Sequence, residues 1–225
     1  MSNAINVDVT AMVLAGGRAR RMGGADKGLI EVGGQAMVQW VSAAMARQCA
    51  SVMVNANRNE RRYHELTGCH VLKDLNDDFA GPLAGMIAGL SNCQTPLLAC
   101  VPCDSPLVAV DLVSRLKAAL HTHGAELAVA DDGERLQPVF VLLKRELLGS
   151  MQSFVQDGGR KIDTWYAQHS MARVTFRDRA EMFDNINTPQ QRDALHTRLL
   201  ERELQLDVDQ TDVTAGGADT ESMAR

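Results

Sequence analysis

The 225-residue chain is long enough to bury one substantial core, and its 45% apolar and 23% charged residues are typical of a globular protein. A net charge of −5 argues against a chain that coats nucleic acid or an anionic membrane. An odd number of cysteines, five, argues against a disulfide scaffold. Because the sequence also has no bilayer-length apolar run and no secretory signal, we expect a cytoplasmic protein.

Apolar runs alternate with segments of helical periodicity along most of the chain. Strands are predicted, in chain order, at 11–15, 51–55, 71–72, 97–101, 125–130, 139–143 and 172–176. Helices are predicted over 35–48, 83–90, 110–121, 154–168 and from 189 to about 204, with a turn at Gly158 and Gly159 in the fourth segment. This alternation predicts an α/β protein with a mostly parallel sheet and helices on both faces.

The chain divides by composition near its end. Residues 1–205 carry the alternating pattern and are expected to form a single domain. Residues 206–225 are acidic and contain few large apolar side chains, so we expect a disordered tail.

The most informative segment is residues 11–27, which read AMVLAGGRARRMGGADK. The apolar run stops at Gly16 and Gly17, and Arg21 and Lys27 add positive charge. Glycines let a backbone turn sharply and approach a ligand, and successive loop N–H groups can cradle an anion. The segment therefore predicts a site for a polyphosphate.

Two common phosphate loops do not fit this segment. Lys27 follows Asp26 and precedes Gly28, which breaks the order of the P-loop, and the glycines do not form the dinucleotide pattern GxGxxG. The spacing LAGGx(3)RMGx(2)DK instead resembles that of the sugar-nucleotide-type nucleotidyltransferases. An ordinary basic, glycine-rich surface loop is the simpler alternative.

Polar residues follow three other predicted strands where they end: Asn55, Asp74 and Asp104. Parallel sheets bind ligands beyond the carboxyl ends of their strands, so we expect these side chains to converge. Asp104 suits Mg²⁺, which prefers carboxylate oxygen, and Asn55 and Asp74 suit a base or ribose. A carboxylate at Asp74 could accept the N1–H and exocyclic amino group of guanine. Each residue could also simply terminate a strand or hold a turn.

Cys100 and Cys103 form a C-x-x-C pair that could indicate redox chemistry. Cys100 lies in a predicted strand, and there is no second C-x-x-C to complete a zinc site. We interpret both thiols as packing residues.

Taken together, the motifs resemble those of the molybdenum cofactor guanylyltransferases, the MobA-type nucleotidyltransferases. The matching segments are LAGG at 14–17, RMGG at 21–24, DK at 26–27, VNAN at 54–57, GPLAG at 81–85, PCDSP at 102–106 and NINTP at 185–189. The resemblance extends from about Val9 to Leu200 and does not cover the acidic tail.

This resemblance implies a fold, an activity and a set of partners. The fold would be a Rossmann-like three-layer sandwich of the nucleotide-diphospho-sugar transferase type. The reaction would be transfer of GMP from GTP to the terminal phosphate of molybdenum–molybdopterin, with Mg²⁺ as cofactor and pyrophosphate as the second product. Other molybdenum-cofactor biosynthesis proteins, recipient molybdoenzymes or their chaperones would be protein partners.

The resemblance also implies residue roles. Arg21, Lys27 and Asp104 would be catalytic, and Asp104 would be the metal ligand. The nucleotide site and its cleft would be formed by Leu14, Ala15, Gly16, Gly17, Gly24, Lys27, Asn55, Asp74, Gly81, Gly85, Asp104, Asn185 and Asn187. Gln137 and Pro138 depart from the pattern near the acceptor side.

Three other functions remain open at this point. A cytidylyltransferase of the same fold would share the glycine loop and Asp104 but differ in its base pocket. A non-catalytic nucleotide-binding regulator would keep the loop without needing the metal carboxylate. A redox protein would depend on Cys100 and Cys103 instead.

Overall fold

The structure is a computed structural model that describes residues 5–16, 26–75 and 81–184, together with positions 195 and 197. The chain divides into two compact units. The larger unit comprises Met1–Ile30 and Gln35–Asn185, and the smaller comprises Glu31–Gly34 and Ile186–Arg225. The predicted helix from 189 to about 204 falls outside the described residues except at 195 and 197, and the predicted tail falls wholly outside them.

Strands and helices alternate along the described chain, as the sequence predicts. The elements are β1 (Asn6–Leu14), β2 (Glu31–Val32), β3 (Gln35–Ala36), α1 (Met37–Ala46), β4 (Cys49–Asn55), α2 (Glu60–Thr67), β5 (His70–Leu72), α3 (Pro82–Asn92), β6 (Leu97–Pro102), α4 (Leu112–Thr122), β7 (Leu127–Asp131), β8 (Leu136–Lys144), α5 (Leu148–Gln156), α6 (Ile162–Tyr166) and β9 (Met171–Thr175). β2 and its glycine turn belong to the smaller unit, and every other element belongs to the larger one. None of the helices in the described ranges combines the length and apolar character needed to span a bilayer.

The larger unit is built on a seven-stranded sheet with the strand order β5-β4-β1-β6-β8-β7-β9. The pairs β1–β4, β1–β6, β4–β5 and β7–β9 are parallel, whereas β8 is antiparallel to both β6 and β7. The prediction of a mostly parallel α/β sheet is therefore confirmed. The sequence did not reveal the reversal at β8, because an apolar run reads the same in either direction.

Helices cover both faces of this sheet. One apolar cluster joins Met12 and Leu98 of the sheet to Met86 of α3, Met151 of α5 and Trp165 of α6. Helices α1 and α4 also contact the sheet but contribute no residue to that cluster, so they cover the opposite face. Successive side chains of a strand point to opposite faces, which is why the continuous apolar run of β1 can serve both layers.

The turn predicted at Gly158 and Gly159 is confirmed, and it separates two helices. α5 ends at Gln156 and α6 begins at Ile162, with Gly158 between them at a φ of 90°. Gly159 then packs so closely that a Cβ there would lie 2.5 Å from the ring of Phe154 and 2.6 Å from its carbonyl oxygen. The glycine pair thus ends the first helix and turns the chain back on itself.

This packing predicts opposite outcomes for two glycine substitutions near α5. Gly159→Ala should lower the free energy of unfolding by about 2 kcal/mol, because the backbone must shift to admit the new methyl group. Gly149→Ala, within α5 and with open space at its Cβ, should raise it by about 0.5–1 kcal/mol. Urea denaturation measures both. A Gly159→Ala protein as stable as the wild type would contradict the described turn.

Candidate functional site

A buried amide, Asn55, lies at the carboxyl end of β4 and organises its surroundings. Its Nδ2 donates to the carbonyl oxygen of Leu72 at 3.2 Å and to Oδ1 of Asp74 at 2.9 Å. A Cβ on Gly16 would lie 2.7 Å from Asn55 Oδ1, and a Cβ on Gly85 would lie 2.5 Å from it. Glycine is therefore required at both positions for the segment after β1 and for α3 to approach this amide.

The Asp74 carboxylate is fixed by two amide side chains. Its second oxygen, Oδ2, accepts a 2.6 Å hydrogen bond from Asn57 Nδ2, and its backbone N–H donates to Asn57 Oδ1 at 2.9 Å. Because Asn55 donates to Oδ1, each carboxylate oxygen of Asp74 accepts one hydrogen bond from an amide side chain. Each oxygen can still accept a second hydrogen bond from a ligand. Asn57 was not assigned a role from the sequence, although its place at the end of a predicted strand was a usable signal.

Lys27 and Asp104 meet although they are 77 positions apart in sequence. Lys27 Nζ donates to Asp104 Oδ2 at 3.1 Å, and the two side chains are 35% and 18% exposed. Asp104 lies in the turn after β6, where the backbone N–H of Cys103 donates to the carbonyl oxygen of Leu14 at 3.1 Å. The end of β1 is thereby held against the turn that carries the carboxylate.

The remaining predicted positions divide into two groups. Ala15 donates its backbone N–H to the Asn55 carbonyl oxygen at 2.8 Å, and Gly81 precedes α3 with a φ of 120°, a conformation that favours glycine. The predicted positions that lie outside the described residues are Gly17, Arg21, Gly24, Asn185 and Asn187.

A metal ion bound to substrate phosphates would find one suitable carboxylate here. No group of three or more His, Cys, Asp or Glu side chains that could hold a metal occurs within the described ranges. Mg²⁺ at nucleotide sites commonly takes one or two carboxylates, with phosphate oxygens and waters completing the shell. The donor chemistry of Asp104 fits that arrangement, and a metal held by protein side chains alone does not.

The thiols do not form a redox or zinc centre in the described chain. All five cysteines are unpaired, and both Cys100 and Cys103 are buried. Burial raises the pKa of the Cys100 thiol, with a further contribution from Cys93. Burial also raises the pKa of Cys103, and the neighbouring carboxylate of Asp104 adds to it. Thiols held protonated in this way are poor nucleophiles, which supports a packing role.

Comparison with known families decides the class of protein. Residues 11–174 match the family model described as the MobA-like NTP transferase domain. The chain belongs to this family. It is accordingly a nucleotidyltransferase, and use of a divalent metal is typical of the family.

Relatives in this family are similar over nearly their whole length. The chain is 49% identical to a molybdenum cofactor guanylyltransferase of Shewanella sp. strain MR-4 over 191 residues, covering 85% of this chain and 96% of that protein. It is 48% identical to the protein of the same name from Shewanella frigidimarina over 191 residues, covering 85% and 97%.

Solved structures confirm the predicted nucleotide-diphospho-sugar transferase type of fold. Molybdopterin-guanine dinucleotide biosynthesis protein A from Archaeoglobus fulgidus superposes with a TM-score of 0.69 at 19% identity, covering 86% of this chain and 99% of that one. A 2-C-methyl-D-erythritol 4-phosphate cytidylyltransferase from Thermus thermophilus superposes with a TM-score of 0.63, also at 19% identity, covering 85% and 100%. The fold alone therefore does not distinguish a guanylyl from a cytidylyl site.

The burial of the cysteines predicts their reactivity. At pH 8 one equivalent of Ellman's reagent should react quickly with the half-buried Cys69, while the four buried thiols should react only on unfolding. A Cys69→Ser protein serves as the control and should show no fast phase. Fast labelling of Cys100 or Cys103 in the folded protein would revive the redox interpretation.

Proposed function

We propose that the protein transfers GMP from GTP to the terminal phosphate of molybdenum–molybdopterin. The product is the guanine dinucleotide form of the molybdenum cofactor, and pyrophosphate is released. The observation that carries the proposal is the placement of Asp74 after β5 and of Asp104, which pairs with Lys27, after β6, both at the carboxyl ends of strands that run parallel in one sheet. Relatives nearly half identical to this chain and named for this activity support it.

Recognition of guanine is assigned to Asp74. With Asn55 and Asn57 holding its two oxygens, the carboxylate is oriented before a ligand arrives. It can accept both the N1–H and the exocyclic amino group of guanine, whereas adenine presents an acceptor at N1. A site built around a fixed acceptor rejects bases that lack the matching donors, because its own polar atoms would be left unpaired.

The triphosphate is assigned to the loop after β1 and to Lys27. Leu14 and Ala15 would lie beside the nucleotide, and backbone N–H groups from Gly16 and Gly17 would face the phosphates, because the Ala15 N–H already donates to the Asn55 carbonyl oxygen. Lys27 and Arg21 would balance charge on the triphosphate and on the departing pyrophosphate. Asp104 would hold Mg²⁺, which supplies charge neutralisation near the α-phosphate when bound.

The chemistry needs no dedicated nucleophile from the protein. An oxygen of the acceptor phosphate attacks the α-phosphorus in line and forms a new P–O bond. The bond from the α-phosphorus to the oxygen that bridges it to the β-phosphorus breaks, and pyrophosphate leaves. A phosphate monoester is already largely ionised near neutral pH, so no strong general base is required. The protein contributes positioning and electrostatic stabilisation.

Gly81 and Gly85 at the start of α3 are proposed to line the same cleft, with Gly85 against the Asn55 amide. Transient contacts with other cofactor-biosynthesis proteins, recipient molybdoenzymes or their chaperones would pass the product on. Five unpaired cysteines are consistent with the proposed cytoplasmic location.

The paired charges predict how two substitutions separate. Asp104→Asn should keep the turn but lower the rate of pyrophosphate release by about 100-fold or more, because metal-based charge stabilisation is worth several kcal/mol. Affinity for free GTP should change much less. Lys27→Ala should weaken both GTP affinity and turnover, since it removes a charge from the phosphates.

Asp8→Asn is the matched control for these variants. Asp8 is also paired with a lysine, Lys117, at 2.6 Å, but it lies on the first half of β1, away from the carboxyl edge of the sheet. The Asp8→Asn protein should release pyrophosphate at the wild-type rate. Near-normal release by Asp104→Asn, with an unchanged melting temperature, would refute the metal role.

The fixed carboxylate predicts nucleotide selectivity. The wild-type protein should be stabilised against heat by GTP with Mg²⁺ far more than by CTP or ATP. Asp74→Asn should lower kcat/KM for GTP by roughly 10- to 100-fold, because an amide nitrogen replaces one acceptor. It should also discriminate less between GTP and inosine triphosphate, which lacks the exocyclic amino group. Equal stabilisation by CTP and GTP would favour the cytidylyltransferase alternative.

A further inference from the structure

A buried phenol lies directly beneath the Lys27 segment. Tyr63, on α2, is fully buried, and its hydroxyl donates to Oδ1 of Asp26, the residue before Lys27. The other oxygen of Asp26 accepts a hydrogen bond from Asn59 Nδ2 at 3.3 Å. The Asp26 side chain is thus held through both of its oxygens, one bonded to α2 and the other to Asn59, which immediately precedes that helix.

The same hydroxyl also lies beside the residue after Lys27. A Cβ on Gly28 would lie 2.6 Å from the Tyr63 hydroxyl oxygen and 3.2 Å from Cys103 Sγ. Gly28 therefore has no space for a side chain between α2 and the turn that carries Asp104. The Tyr63 hydroxyl thus bonds to the residue before Lys27 and packs beside the residue after it.

The electrostatic state of this contact is well defined. Burial raises the pKa of the Tyr63 phenol, and the hydrogen bond to Asp26 raises it further, so the phenol is a neutral donor across the working pH range. Without that donor, the Asp26 side chain would keep only its hydrogen bond from Asn59, and the backbone that leads into Lys27 would be held less firmly.

We propose that Tyr63 is a positioning residue that fixes Lys27 for the triphosphate by holding Asp26 and packing beside Gly28. This inference rests on the proposed function, because it gives Lys27 its phosphate-binding role. Tyr63 is fully buried, so it does not reach a ligand in the cleft directly. Its effect on activity is expected to pass through Lys27.

The test is a double-mutant cycle between Tyr63→Phe and Lys27→Ala, with kcat/KM for GMP transfer as the readout. Tyr63→Phe removes one oxygen and leaves the ring, so the fold should be retained. Alone it should lower kcat/KM about tenfold, the size expected for a hydrogen bond to a charged group. In the Lys27→Ala background it should change kcat/KM by less than about twofold.

Two further variants complete the experiment. Asp26→Asn weakens the same contact from the other side and should show the same lack of additivity with Lys27→Ala. Ser150→Ala removes a hydroxyl on α5 that bonds to His169 and Trp165, and it should change kcat/KM by less than about twofold in both backgrounds. An equal loss from Tyr63→Phe with and without Lys27, or no loss at all in a folded protein, would overturn the proposal.

Equilibrium binding separates this inference from the proposed function. Thermal shift with GTP alone needs no acceptor, and Tyr63→Phe should reduce the shift only when Lys27 is present. A wild-type protein that binds GTP but transfers no GMP would refute the proposed function. The positioning role of Tyr63 would still be tested by whether its effect on GTP binding depends on Lys27. Binding that is equally reduced in both backgrounds would reject the positioning role itself.

Discussion

The hydrogen bonds of the buried Asn55 amide are the interaction on which the site depends. This side chain joins β4 to the end of β5 and fixes one oxygen of Asp74, while the space around its own oxygen admits only glycine at Gly16 and Gly85. Burying an amide is costly unless its hydrogen bonds are made, so the arrangement is held in one geometry. The segment after β1, the Asp74 carboxylate and α3 are therefore all positioned by the same amide.

Parallel strand pairing makes this convergence possible. Leu14 is in register with Asn55 on one side and with Pro102 on the other, so neighbouring strands end level with one another. The turn after β6 then places Asp104 beside Lys27. An ion pair with one partner more than a third exposed contributes little to folding, so the importance of the pair lies in where it places its charges.

Much of this organisation could be predicted from the sequence, because its signals are local. The apolar runs of β1 and β6 stop at glycine or at a polar turn, and polar residues at strand ends must meet at one edge of a parallel sheet. The glycine pair at 158 and 159 likewise marks the break between α5 and α6, whereas the reversed direction of β8 has no such local signal. The contacts of Asn57 with Asp74 and of Tyr63 with Asp26 cross 17 and 37 positions, so only the folded chain reveals them.

The central claim is that the α-phosphoryl group of GTP moves to a phosphate on a molybdenum-bound pterin. The most direct measurement follows GTP labelled with radioactive phosphorus at the α-position, incubated with the protein, Mg²⁺ and molybdenum–molybdopterin. The account predicts that the label enters a phosphatase-resistant dinucleotide only when the acceptor is present, while label placed at the γ-position leaves as pyrophosphate. Label that remains in GTP, or that appears as free GMP regardless of acceptor, would contradict it.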